Sequence, residues 1–242
     1  NDAAPVQNRQ LTVSGASEKI NYYFSAGYYD QEGIIGGNYD KSNYERLSFR
    51  SNTLFTLFNE SKSRNWLKKM TFGLNMSYSR INSIGVTAGS LTGSPLGNAL
   101  LMDPTLPVYA NSEDELQNYD HAKYGEPIYD QLTGKLLSMP SNAFNELSNP
   151  LALLSLPGTW NNSDKFIANM TAELNIWDNL KYKFSWGSDL SFWGSDGWTH
   201  PYYLNQNAKN ESSRVWSSMN RGYNWQIENV LYYDKRIKEH SF

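Results

Sequence analysis

Between Trp193 and Tyr203 the sequence sets two tryptophans, two tyrosines, an aspartate and a histidine close together: Trp193, Asp196, Trp198, His200, Tyr202 and Tyr203. Flat rings stack on the apolar faces of sugars, and carboxylate and imidazole groups hydrogen-bond their hydroxyls, so this segment is the first candidate ligand site. The competing reading is that the rings pack their own loop or meet a protein partner. Asp196 and Glu211 are of the residue type that serves glycosidases as acid and base. No G-x-S-x-G, G-x-x-x-x-G-K-[S/T] or H-E-x-x-H motif accompanies them, so no catalytic residues are assigned and no enzyme is expected. His121, His200 and His240 lack ligand spacing and there is no cysteine, so neither a metal nor another cofactor is expected. The acidic run Glu113–Glu115 matches no EF-hand loop and reads as a solvated face.

The elements that hold these residues follow from composition and period. The chain has 242 residues, a formal charge of -3, 19% charged and 39% hydrophobic residues, and 14% aromatics. Its mean hydropathy is -0.63. That charge offers no footprint for nucleic acid. No run of about 18 apolar residues exists, which excludes transmembrane helices but not membrane strands, for which about 9–11 alternating residues suffice. Strict alternation is what the chain shows. In the window from Trp66, Phe72, Leu74, Met76 and Tyr78 alternate with Thr71, Gly73, Asn75 and Ser77; further on, Met170 and Leu174, then Phe184 and Trp186, repeat the pattern against Asn175 and Ser185. A period of two is a strand with one apolar and one wet face.

Seven strands are predicted, over about 7–14, 19–30, 43–58, 66–80, 164–176, 180–193 and 213–236. Several exceed the 5–6 residues typical of globular strands and are long enough to cross a bilayer at a tilt near 45°. Phe72, Leu74, Met76, Met170, Leu174, Phe184 and Trp186 are assigned to lipid. Trp66, Tyr78, Trp177, Tyr182, Trp186, Phe192, Tyr223 and Trp225 read as aromatic girdles. Arg46, Arg50, Lys181, Lys183 and Glu173 fall on the wet face, that of a hydrated lumen with charge pairs or plug contacts; a solute path is the other reading. Connections alternate between short (Gly15–Glu18, Asn59–Asn65, Asp178–Asn179, Lys238–His240) and long (Asp30–Asn43, 81–163, Gly194–Arg214), as periplasmic turns and extracellular loops do in an outer-membrane barrel. The longest loop should carry local structure: a helix over Ser94–Met102, begun by Ser94-Pro95, and another over Asn111–Tyr119. Seven strands leave two edges open, and neither a leader nor an initiating Met is present, so a segment of a longer polypeptide is expected.

Val13-Ser14-Gly15-Ala16-Ser17-Glu18-Lys19, then Asn21-Tyr22-Tyr23-Phe24-Ser25-Ala26-Gly27-Tyr28 and Asp30-Gln31-Glu32-Gly33-Ile34-Ile35, resemble the SusC/RagA family of TonB-dependent outer-membrane transporters. Tyr44, Arg46, Ser48-Phe49-Arg50 and Asn52 continue the likeness, as do Leu106-Pro107-Val108-Tyr109, Asn149-Pro150-Leu151-Ala152 and Asn224-Trp225-Gln226-Ile227-Glu228-Asn229. Ala16 departs from it, since the family has a second glycine there. The resemblance implies an all-β, antiparallel transmembrane β-barrel segment of a 22-stranded barrel, in the outer membrane of a Gram-negative bacterium. It implies import of an oligosaccharide or a peptide with a SusD-like lipoprotein. Coupling to TonB would run through a plug and N-terminal region not visible in these residues. The reading from a different class is a secreted or surface all-β carbohydrate-binding module, with a soluble β-rich glycosidase third.

Overall fold

The computed structural model describes residues 4–59, 66–116, 119–140 and 146–234, with the backbone of 236–237 and 240–241. The expected connections at Asn59–Asn65 and Lys238–His240 lie largely outside the described residues. Alternating segments become β1 (Val6–Ala16), β2 (Ile20–Glu32), β3 (Asn43–Asn59), β4 (Lys69–Ile84), β5 (Thr159–Trp177) and β6 (Leu180–Thr199). Two short strands follow, β7 (Tyr202–Tyr203) and β8 (Lys209–Asn210), and then β9 (Arg214–Tyr233). One antiparallel sheet of seven strands runs in the order β1-β2-β3-β4-β5-β6-β9, every long strand pairing with its neighbour along the chain. Each hairpin is therefore local, and no second layer of described elements packs across the sheet.

Register fixes the faces, because residues directly opposite each other share one. One row reads Val13, Phe24, Ser51, Met76, Ala168, Ser188 and Trp225. The next reads Leu11, Ala26, Phe49, Tyr78, Phe166, Leu190 and Tyr223. In the other direction come Tyr22, Thr53, Leu74, Met170, Trp186 and Ile227, then Ile20, Phe55, Phe72, Ala172, Phe184 and Asn229, then Phe58, Met70, Leu174, Tyr182 and Leu231. These five rows carry no charge. Ring pairs Phe49–Tyr78 and Phe55–Phe72, both with centroids 6.4 Å apart, join adjacent strands across this apolar face. The polar face between them is lined by Ser25, Arg50, Ser77 and Asp189, or by Asn52, Asn75 and Asn169.

The strands reach further than alternation indicated at the end bearing the long connections. β4 continues to Ile84, β5 begins at Thr159, and β6 continues to Thr199. The long loop is thus 85–158 rather than 81–163, and most of the expected Gly194–Arg214 loop shrinks to His200–Ser213. Beyond the row of Arg80, Asp164, Phe192 and Arg221, both faces mix polar residues with apolar ones such as Trp160, Trp193 and Trp198, so the two-residue hydrophobic period fades while the ladder of backbone hydrogen bonds goes on.

Among the described residues, helices occur only in the loops. α1 (Pro95–Leu101) is capped by Ser94, whose Oγ accepts from the Gly97 amide at 3.0 Å, with Pro95 in the first turn. Of the helix expected over Asn111–Tyr119, the described residues form a 3-10 turn at Glu113–Glu115, where the Glu115 carboxylate accepts from the Asn111 amide and side chain. α2 (His121–Tyr124), α3 (Pro150–Ser155) and a 3-10 turn at Gly37–Tyr39 are the other helical pieces among the described residues. No helix among the described residues is long and apolar enough to cross a membrane.

Candidate functional site

The loops at one end of the sheet fold into a body with its own small core: Leu137, Ala152 and Leu204 are buried together, with Tyr109, Ile128 and Tyr202 packed against them. Buried amides join its segments. Asn98, fully buried, donates to the carbonyls of Thr92 (2.8 Å) and Ser94 (2.9 Å) and accepts from the Ser148 amide (2.7 Å). Asn205 donates to the Leu147 carbonyl and Ser148 Oγ, both at 2.8 Å, and accepts from the amides of Asn207 and Ala208. Asn149 caps α3 and donates to the Val108 and Ser138 carbonyls. These asparagines satisfy irregular backbone that would otherwise be buried unpaired.

Asp130 ties this body to the connection between β2 and β3. Its carboxylate accepts from Tyr39 Oη (2.7 Å), Tyr109 Oη (3.0 Å), Thr133 Oγ1 (2.6 Å) and the Leu132 amide (3.3 Å). Burial works to raise its pKa, but the hydrogen bonds together outweigh burial and hold it below the usual carboxylate value. Burial and the Asp130 contact push the Tyr39 phenol up in turn. Tyr119, packed edge-on against Tyr203, has its pKa raised to about 12, chiefly by burial.

The six residues of the candidate ligand segment separate. Trp193 lies on the polar face, opposite Ser163 and Asn220. Asp196 and Trp198 lie on the other face, beyond the apolar rows, and belong to β6 rather than to a loop. Asp196 bridges three strands by accepting from Asn162 Nδ2 (3.1 Å) and Ser217 Oγ (2.5 Å). Trp198, His200 and Tyr202 remain together, with ring centroids 5.6 and 6.5 Å apart along the series. His200 Nδ1 is buried without a hydrogen-bond partner among the described residues, and burial lowers its pKa. Tyr203 turns inward, 5% exposed, against Tyr124 at 5.1 Å. Glu211 accepts from Tyr124 Oη, so it and Asp196 have different neighbours.

The sheet separates charge by face. On the polar face stand Arg46, Arg50, Lys69, Lys165, Lys181, Lys183 and Arg214, against Glu173, Asp189 and Glu228. Lys165 pairs with Asp189 at 3.0 Å and Lys183 with Glu173 at 3.8 Å. A chain of net charge -3 thus presents a cationic face. Among the hollows on the sheet, two grooves are the largest. One, of about 320 Å³, lies on the apolar face where Ala26 and Ser51 interrupt Leu11, Phe24, Phe49 and Met76; its lining offers almost nothing for orienting a polar ligand. The other, of about 470 Å³, lies on the polar face around Arg46 and Arg50, and here the sequence had marked the arginines without their groove. Asp130, Asn98 and Asn205 escaped the sequence reading, since their partners are distant in the chain: Tyr39 lies 91 residues from Asp130.

No family model matches the chain. It is 25% identical over 238 residues to TonB-dependent receptor P26 of Formosa agariphila, which covers 98% of this chain and 20% of that protein. It is 28% identical over 193 residues to TonB-dependent receptor SusC of Bacteroides thetaiotaomicron, covering 78% of this chain and 16% of that one. The chain therefore spans about a fifth of the length of these curated relatives. Its fold resembles the RagAB peptide importer in the closed-closed and open-open states, each with a TM-score of 0.65 and 20% identity over 98% of this chain, which covers 23% and 22% of those chains.

Proposed function

Because the chain is a SusC/RagA-like TonB-dependent receptor segment, we propose that its seven strands form part of the wall of an outer-membrane nutrient importer, apolar face to lipid and polar face to the lumen. The observation that carries this reading is the set of five consecutive uncharged rows on one face. From Met70 to Tyr78 they run about 27 Å along the strands, which at a tilt near 40° is roughly 20 Å of height, close to the apolar band of such barrels. Tyr78 and Tyr223 stand in its upper row, Tyr182 in its lower, as girdle residues do. Phe72, Leu74, Met76, Met170, Leu174, Phe184 and Trp186 face lipid in this arrangement. The loop body lies outside the cell, where it supports a SusD-like lipoprotein and capture of an oligosaccharide or peptide. TonB acts through parts of the protein other than this sheet. Trp193, by its place on the polar face, is the member of the aromatic segment nearest a solute path, while Trp198, His200 and Tyr202 suit partner or ligand contact at the outer rim.

The sheet's uncovered apolar face argues against a soluble carbohydrate-binding module, which would bury such a face beneath a second layer. The test is a charge scan. Phe72→Arg and Phe184→Arg, next to the middle row, should each cost about 2–4 kcal/mol and reduce outer-membrane assembly, while Leu174→Arg in the lower girdle row should cost only about 0–1 kcal/mol. The same change at Asn75, Asn175 or Ser185 should leave assembly near normal, and equal losses on both faces would reject the assignment of faces.

A further inference from the structure

The groove on the polar face is built by register. Arg50 and Ser77 stand in one row and Arg46 in the second row along, while the row between them holds only Gly27, Ser48 and Ser79 across β2, β3 and β4. Small side chains thus floor a trough about 13 Å long between the two arginine Cα positions. A Cβ on Gly27 would lie 2.8 Å from Ser48 Oγ, so the missing side chain lets the serine hydroxyl lie over the floor there. Both arginines are exposed, and among the described residues neither stands in an ion pair, in contrast to Lys165 and Lys183 on the same face. The Arg46 guanidinium sits 5.7 Å from the centre of the Tyr29 ring, and Tyr23 lines the trough as well. The rest of the lining is mostly polar, from Asn8, Gln10, Ser25, Ser77 and Ser79, with Ile81 and Phe49 adding a smaller apolar share.

We propose that this trough binds an anionic oligosaccharide, one carrying carboxylate or sulfate groups. Guanidinium groups pair with the anions, tyrosine rings stack on the sugar faces, and amides and hydroxyls bond the ring hydroxyls. The inference rests on the reading of the polar face as lumen and adds a charge class to the substrate. It is tested by calorimetry on the full-length receptor in detergent, with oligogalacturonate and its fully methyl-esterified form as probes. The native protein should bind the acid roughly tenfold tighter than the ester at low salt, with the preference shrinking at high salt. Arg46→Gln/Arg50→Gln should abolish the preference while the barrel retains its native heat-modifiable migration. Equal binding of acid and ester, binding of neither, or a preference that survives the double substitution overturns the proposal; an acidic stretch of the same polypeptide filling the trough would appear as the first or second of these. Lipid accessibility of Leu74 on the same preparation separates the two readings. A lipid-facing Leu74 without preference for the acid removes only the anionic class, whereas a water-facing Leu74 removes the importer wall itself.

Discussion

Asp130 shows what single side chains contribute to the loop body. With four donors on one carboxylate, Asp130→Ala should cost about 2–3 kcal/mol of local stability, since three hydroxyls lose a charged acceptor. Hydrogen exchange should report this as faster exchange around Gly36–Tyr39 and Ile128–Leu137, with the strands unchanged. The folded-state pKa of Asp130 is depressed, so its stabilisation is fully present above the ordinary carboxylate pKa of about 3.9 and is lost as pH falls through the lower folded value. Loop protection should therefore hold from neutral pH down to about 4 and then collapse in the native protein, and be absent throughout in Asp130→Ala. None of this was legible in the sequence, because Asp130, Tyr39 and Tyr109 carry no spacing pattern and are brought together only by the fold. The aromatic run from Trp193 was legible as a concentration of rings but not as a site, since alternation along β6 sends Trp193 to one face and Trp198 to the other.

Among the elements, the strands were the most legible and the rim the least. Strand existence and face followed from the two-residue period wherever one face is apolar, and the register places the alternating residues of β4, β5 and β6 in shared rows. The ends were misjudged because the period loses contrast once both faces mix polar and apolar residues: Ser195, Asp196 and Gly197 read as part of a long loop, yet Asp196 holds β5 and β9 on either side. Asp196→Ala should accordingly fray the rim, with faster exchange at Thr159–Asn162 and Trp216–Ser218, and leave the rows below Arg80 protected. The short α1 was legible from Ser94-Pro95, but its packing was not. Gly97 approaches the chain so closely that a Cβ would fall 2.3 Å from the Leu91 carbonyl oxygen, and Gly97→Ala should loosen α1, measurable as protease cleavage within 90–102.

For the whole molecule, the decisive feature is that one sheet has two faces of unlike chemistry. An apolar face without charge over five rows and a cationic polar face cannot both be left in water without a large exposed apolar patch. The proposed wall, with lipid on one side and a hydrated lumen on the other, would resolve this, and a larger barrel would pair the strand edges at β1 and β9. The chain contains no cysteine, which makes single nitroxide labels in this segment unambiguous. The most direct test places such labels at Leu74, Met170 and Trp186, and at Asn75, Thr171 and Ser185, in the full-length receptor reconstituted in lipid. The account predicts that the first three are accessible to oxygen and shielded from a water-soluble nickel chelate, and the second three the reverse. Labels on the apolar face shielded from both reagents would mean a packed protein core, and would contradict the membrane wall.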